Sequence, residues 1–183
     1  MNKRKAIFLD RDGVINQFVE GSPCINTPEK FKLCPTAATA IGLINRTDYL
    51  AIVVTNQPGI AQGYASWEDI ENVHAAMNKL LELIGVKVDD IFFCPHHPER
   101  GWPGERAEFK IPCDCRKPLP GLLLRAAEKH NIDLQNSWMI GDRIQDTIAG
   151  QMAGCKTYQI NAEEDDGLLK AIEFIFNEEN INI

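Results

Sequence analysis

The feature that most constrains this chain is an alternation of short apolar runs with longer segments of helical spacing. The runs are KAIFLD (5–10), LAIVVTN (50–56), DIFFCP (90–95), SWMIGD (137–142) and KTYQIN (156–161). They are brief and rich in Ile, Val and Phe, which suits strands buried on both faces. The clearest helix lies in SWEDIENVHAAMNKLLELIG. There Ile70, Val73, Met77, Leu80, Leu81 and Ile84 mark one face, after a Ser66 cap with acidic residues in the first turn. Further helices are predicted over 36–47, 120–131, 144–153 and 165–177. Strands alternating with helices through right-handed crossovers give a doubly wound, mostly parallel α/β sheet covered on both faces. With 183 residues and 44% apolar content, the chain can bury one substantial core, so a single domain over 1–183 is expected. No internal repeat or low-complexity tract interrupts it.

Composition removes several classes of function. No stretch approaches the ~18–20 apolar residues of a membrane helix, and MNKRKAIFLDRDG lacks the apolar centre of a signal peptide. The expectation is therefore a cytoplasmic chain with no membrane partner. A formal charge of −7 opposes broad binding to nucleic-acid backbones, which needs many Lys and Arg on one face. A small anion in a locally basic pocket remains compatible with it. Gly59 and Gly63 do not form a dinucleotide fingerprint, because G-x-G-x-x-G is absent.

In a sheet of this kind, ligands bind beyond the carboxyl ends of the strands. Asp10 and Asp12 follow the first run, Thr55 and Asn56 end the second, and Asp142 follows the fourth. Asp10-Arg11-Asp12-Gly13 on its own reads equally as an acidic turn or as a catalytic pair, with one carboxylate attacking and the other handling a proton. A calcium loop would carry a third oxygen ligand before its Gly, which is absent here. Taken singly, Thr55 is a β-branched strand residue and Lys117 a solvated loop cation.

Three of the six cysteines sit with two histidines in one segment. Cys94-Pro95-His96-His97 and Cys113-Asp114-Cys115 form two half-sites that supply three thiolates and an imidazole, a tetrahedral zinc set. A Cys113–Cys115 disulfide is geometrically poor with one residue between. Four protein donors leave no open position, so the zinc is expected to be structural, folding the 97–112 loop within a zinc-binding segment 94–115. His96 and His97 compete for the fourth place. Cys24, Cys34 and Cys155 lie apart and read as ordinary thiols.

In order along the chain, FLDRDGVIN, VVTNQ, CRKPLPG and MIGDRIQD resemble the four motifs of the haloacid dehalogenase-like hydrolase superfamily, over roughly residues 5–161. The resemblance implies a Rossmann-like fold. It makes Asp10 the nucleophile that forms an aspartyl-phosphate, and Asp12 the acid and then the base. Mg2+ would be held by Asp10, Asp142 and the Asp12 main-chain carbonyl, while Thr55 and Lys117 hold the phosphoryl oxygens. Asp146 would support metal or lysine, or act simply as a helix-start carboxylate. CPHHPERG followed by CDCRKPLPG is similar to the zinc-containing branch that includes heptose-bisphosphate and histidinol-phosphate phosphatases. TNQPGIAQG and the double histidine fit the heptose enzymes better. In that branch the zinc ligands correspond to Cys94, His96, Cys113 and Cys115.

The implied activity is Mg2+-dependent removal of the C7 phosphate from D-glycero-D-manno-heptose 1,7-bisphosphate. Histidinol phosphate or another small metabolite is the alternative substrate, and a polynucleotide 3′-phosphatase or a zinc-stabilised binding module without turnover is a more distant reading. Arg116 and Arg143, next to Lys117 and Asp142, are candidate contacts for a distal phosphate or sugar hydroxyls, joined by Arg11, Asn56 and Gln57. The interval between Gly13 and Thr55 reads as a loop plus one helix, too little for a large cap domain. The zinc loop and segment 13–30 should then select a small phosphorylated sugar at an open site, in a monomer.

Overall fold

The computed structural model describes residues 3–182. Five strands, β1 (Lys5–Leu9), β2 (Tyr49–Asn56), β3 (Asp90–Cys94), β4 (Trp138–Gly141) and β5 (Lys156–Gln159), form one sheet in the order β3-β2-β1-β4-β5. Every pairing is parallel. The helices are α1 (Ala37–Asn45), α2 (Gly59–Gln62), α3 (Trp67–Leu83), α4 (Gly121–His130), α5 (Ile144–Ala153) and α6 (Gly167–Glu178). The predicted elements thus form, within about two residues at their ends.

Successive side chains of a strand point to opposite faces, and the two cores divide accordingly. Ile7 and Leu9 of β1 pack with α1, α3 and α6, whereas Ala6 and Phe8 pack with α4 and α5. On α3 the capping box between Ser66 and Asp69 forms as expected. Ile70, Val73, Met77 and Leu81 are buried, but Leu80 and Ile84 are exposed. The stripe is narrower than predicted because Leu80 is rotated off it and Ile84 lies at the helix end. The place expected for an apolar side chain is taken by His74, which is buried.

Because the strand order reverses between the central β1 and its neighbour β4, their carboxyl ends open the crevice where doubly wound folds place ligands. Between β3 and α4 the chain forms a long loop containing one 3₁₀ turn, Ala107–Phe109. It is ordered by bonds from His97 N to the Phe109 carbonyl at 3.2 Å and from Arg106 N to the Ala61 carbonyl at 3.0 Å. Lys110 donates to the Glu99 carbonyl at 2.6 Å and lies 4.1 Å from the centre of the Trp102 ring. Among the described residues, no helix is long and apolar enough to cross a membrane.

Candidate active site

Asp10 sits one residue beyond β1, where the chain turns sharply at Gly13, whose φ is +81°. A Cβ on Gly13 would come within 2.8 Å of both Asp142 Oδ2 and the Phe18 ring, so the close approach needs a residue with no side chain. Lys117 arrives from the far side of the zinc loop and is fully buried with three partners. Its Nζ lies 3.0 Å from Asp10 Oδ1 and 2.6 Å from Asp146 Oδ1, and donates to the Val54 carbonyl at 2.8 Å. Burial alone would lower the Lys117 pKa, but the Asp10 and Asp146 carboxylates outweigh it and the net shift is upward, which keeps the ammonium charged.

Asp10 is pushed up to about 6, first by burial and then by the neighbouring Asp146 and Asp12, against the pull of Lys117. Asp142 also rises, through burial and Asp146, opposed by Arg143. Its Oδ1 is buried with no hydrogen-bond partner. Asp10, Asp142 and Asp146 bring one carboxylate oxygen each to within 4.8 Å of one another. Three oxygen donors, two of them pushed up by burial and by the third, and one holding an orphaned buried oxygen, fit a hard divalent cation. Asp146 is not free for that purpose alone. One oxygen pairs with Lys117, and the other accepts from Arg143 N at 3.0 Å at the start of α5. Both roles expected of it from sequence are therefore occupied together.

Asp12 behaves differently. Burial would raise its pKa, but Arg11 and hydrogen bonds from Asn16, Gln57 and Arg11 bring it below the usual carboxylate value. The expected contact of Arg11 with substrate is corrected by this arrangement. Arg11 is fully buried and folds back on Asp12, with Nε at 3.2 Å and Nη2 at 3.0 Å from Oδ1. Gln57 borders the cleft, yet its amide is committed to Asp12 at 2.9 Å and to Thr55 Oγ1 at 3.0 Å, and its carbonyl accepts from Arg11 at 3.1 Å. Asn56 clamps the Lys117 backbone on both sides, Nδ2 to its carbonyl and Oδ1 from its N–H, each at 3.0 Å. Both amides are thus bonded to the machinery and also line the cleft, where the sequence suggests sugar contacts.

A cleft of about 200 Å3 opens over these groups, lined by Asp10, Asp12, Lys117, Arg116, Arg143 and the segment around Phe18 to Ile25. Arg116 donates to the His96 carbonyl at 3.2 Å, and Arg143 lies 5.5 Å from the centre of the Phe18 ring with its side chain largely exposed. Segment 13–30 contributes as expected, although Phe18, Asn16 and His74 were not singled out in the sequence.

The second cluster joins Cys94, His96, Cys113 and Cys115. Cys94 Sγ lies 3.1 Å from Cys115 Sγ and 3.7 Å from Cys113 Sγ, and His96 Nδ1 lies 3.4 Å from Cys115 Sγ. With Zn–S near 2.3 Å, the edges of a tetrahedron are roughly 3.4–3.8 Å, so the four donors stand almost where the metal needs them. His97 lies outside the group and packs its ring 4.8 Å from Trp102, which separates the two histidines that sequence left open.

Comparison with known proteins accords with this geometry. An HAD-hydrolase-like family model matches residues 114–167. The D-glycero-beta-D-manno-heptose-1,7-bisphosphate 7-phosphatase of Rhodopseudomonas palustris is 35% identical over 170 residues, covering 93% of this chain and 91% of that protein. The chain belongs to this family of HAD-like hydrolases. A protein of the same name as that relative, from Pasteurella multocida, is 39% identical over 84% of this chain and 79% of that protein. The solved D,D-heptose 1,7-bisphosphate phosphatase from B. bronchiseptica, complexed with magnesium and phosphate, has a TM-score of 0.80 at 29% identity, covering 95% of this chain and 99% of that one. The family is one of phosphoric monoester hydrolases, and the five-stranded parallel sheet described above is its fold.

Proposed function

We propose that this chain hydrolyses the C7 phosphate of D-glycero-D-manno-heptose 1,7-bisphosphate through an aspartyl-phosphate on Asp10. The observation that carries the reading is the convergence of Asp10, Asp12 and Lys117 in one cleft with two further arginines at its rim, and a carboxylate oxygen of Asp142 within 4.8 Å of one of Asp10. Relatives at this level of identity bear the heptose name, which favours it over histidinol phosphate.

In the first step Asp10 attacks phosphorus, the bond to the C7 oxygen breaks, and Asp12, which must enter the step protonated against the donors that lower its pKa, delivers that proton to the leaving oxygen. In the second, Asp12 takes a proton from water, the water oxygen attacks phosphorus, and phosphate departs to restore the Asp10 carboxylate. Thr55 and Lys117 hold the phosphoryl oxygens, and Lys117 also fixes the direction of Asp10 through its 3.0 Å contact. Asp10, Asp142 and the Asp12 main-chain carbonyl would hold Mg2+, which would supply neutralising charge to the transferring group. Asp146 steadies Lys117 and the start of α5. The substrate's remote phosphate and hydroxyls would meet Arg116 and Arg143.

Zinc on Cys94, His96, Cys113 and Cys115 would be structural. Cys115 is followed at once by Arg116 and Lys117, so the metal's binding energy also sets two active-site cations. Every group in this scheme comes from one chain folded as a single domain, which suits a monomer, and reduced thiolate ligands suit the cytoplasm.

The test is phosphate release from heptose 1,7-bisphosphate, histidinol phosphate and a simple ester. The heptose should give the highest kcat/KM and leave heptose 1-phosphate, with Asp10→Asn inactive on every substrate and Asp12→Asn inactive on the bisphosphate, both folded. Arg143→Ala should cost the bisphosphate about tenfold or more and the simple ester little, because remote contacts orient the reacting group. A preference for histidinol phosphate would overturn the substrate while leaving the chemistry.

A further inference from the structure

His74 does not line the cleft and is only 6% exposed, yet it touches the catalytic apparatus through one intermediary. Its Nε2 lies 3.0 Å from Arg11 Nη1. A guanidinium only donates, so the imidazole nitrogen must accept and the ring must be neutral, with its proton on Nδ1. Burial, reinforced by Arg11, depresses the His74 pKa to about 3, so the acceptor persists throughout the working range.

We infer that His74 is a positioning residue for the general acid, locking the Arg11 guanidinium in the orientation that aims the Asp12 carboxylate. The inference rests on the role proposed for Asp12. Arg11 grips both oxygens of that carboxylate, Nη2 at 3.0 Å from Oδ1 and 3.1 Å from Oδ2. Asn16 adds a bond to Oδ1 at 3.0 Å and Gln57 one to Oδ2 at 2.9 Å. An arginine side chain has several rotatable bonds, and a fork holding a carboxylate stays in place only if its far edge is held too. His74 supplies that far edge from the third turn of a capped helix, α3, with its ring set edge-on to Phe93 at 5.3 Å. Phe93 is in turn packed on Trp67 at 4.6 Å. A rigid element thus reaches Asp12 through two hydrogen-bonded links. An apolar residue here would fill the space but leave a buried N–H of Arg11 unmet, and the fork would be free to swing.

The experiment exploits the leaving group. A sugar alkoxide needs a proton to depart, whereas 4-nitrophenolate scarcely does, so damage to the general acid shows on the first substrate and spares the second. kcat/KM reports the step in which the leaving group is lost. His74→Leu should lower kcat/KM for the sugar bisphosphate by roughly 10- to 100-fold and for 4-nitrophenyl phosphate by less than about threefold, acting through kcat. His74→Gln, whose amide oxygen can accept from Arg11, should recover most of the loss. A purely structural role would depress both substrates together, and equal losses, or none, would overturn the inference. Should His74→Leu not fold, His74→Met is the second apolar variant. If that fails as well, Arg11→Lys, which removes the fork but keeps the charge, must show the same split, and equal losses there would also overturn it. Asp12→Asn separates the two ideas. If it does not discriminate between the substrates, the general-acid role of Asp12 fails. If it does and the His74 variants do not, only the inference about His74 falls.

Discussion

Lowering the pH from about 7.5 to about 5.5 should weaken Mg2+ binding roughly fourfold, because Asp10 must lose a proton to act as a ligand. Burial holds its pKa at about 6 against an ordinary 3.8. At the higher pH the group is almost wholly ionised, and at the lower only about a quarter of it is, which converts to ~0.8 kcal/mol of lost binding energy. Asp142 is shifted in the same direction and adds to the loss. The linkage to folding has a defined sign. An acid with a raised folded-state pKa gives stability that is complete below the unfolded value and disappears as the pH climbs through the folded one. Metal-free protein should therefore lose up to ~3 kcal/mol of this contribution between about pH 4 and 6, and Mg2+ should restore more stability at pH 7.5 than at pH 5.5. Titration calorimetry at the two pH values, with thermal melts alongside, measures both effects. Asp10→Asn should flatten most of the dependence. Equal Mg2+ affinity at the two pH values, or tighter binding at the lower one, would refute the reasoning.

Two further predictions concern the zinc loop. Elemental analysis should find about one zinc per chain, and Cys113→Ser or Cys115→Ser should lose both the metal and several kcal/mol of stability in denaturant melts; full occupancy in the double variant would exclude this ligand set. Gly63→Ala should destabilise by about 2 kcal/mol or more, since Gly63 ends α2 at φ +81° and a Cβ would stand 1.8 Å from the Gly104 carbonyl oxygen. Because Gly104 belongs to the zinc loop, urea melts should show that loss together with faster proteolysis within 97–112, whereas unchanged stability would mean the loop does not rest on α2.

What the sequence disclosed and what it hid divide along a physical line. Strand and helix periodicity is local, so the β-α alternation, the capped α3 and the crevice at the carboxyl ends were legible without coordinates. Asp10, Asp12, Lys117 and Asp142 were legible together only through the resemblance of their four motifs, since taken singly Lys117 reads as a loop cation and only the fold brings its Nζ to 3.0 Å from Asp10 Oδ1. The donors that hold them were not, since an amide or guanidinium beside a reactive carboxylate suits two jobs. Arg11, Asn56 and Gln57 stand next to the chemistry in sequence and so read as substrate contacts, but three-dimensional closure turns each inward on Asp12, Thr55 or Lys117. One local signal was available. Ile70, Val73, His74 and Met77 share the buried helical face, and a polar ring at an apolar position must find a partner. Periodicity shows that such a residue is buried, while only the fold shows that its partner is Arg11. The consequence reaches catalysis: Asp12 is held by Arg11 from the turn after β1 and Gln57 from the turn after β2, and Arg11 is held in turn from the middle of α3, so its orientation depends on three separate parts of the fold staying in register.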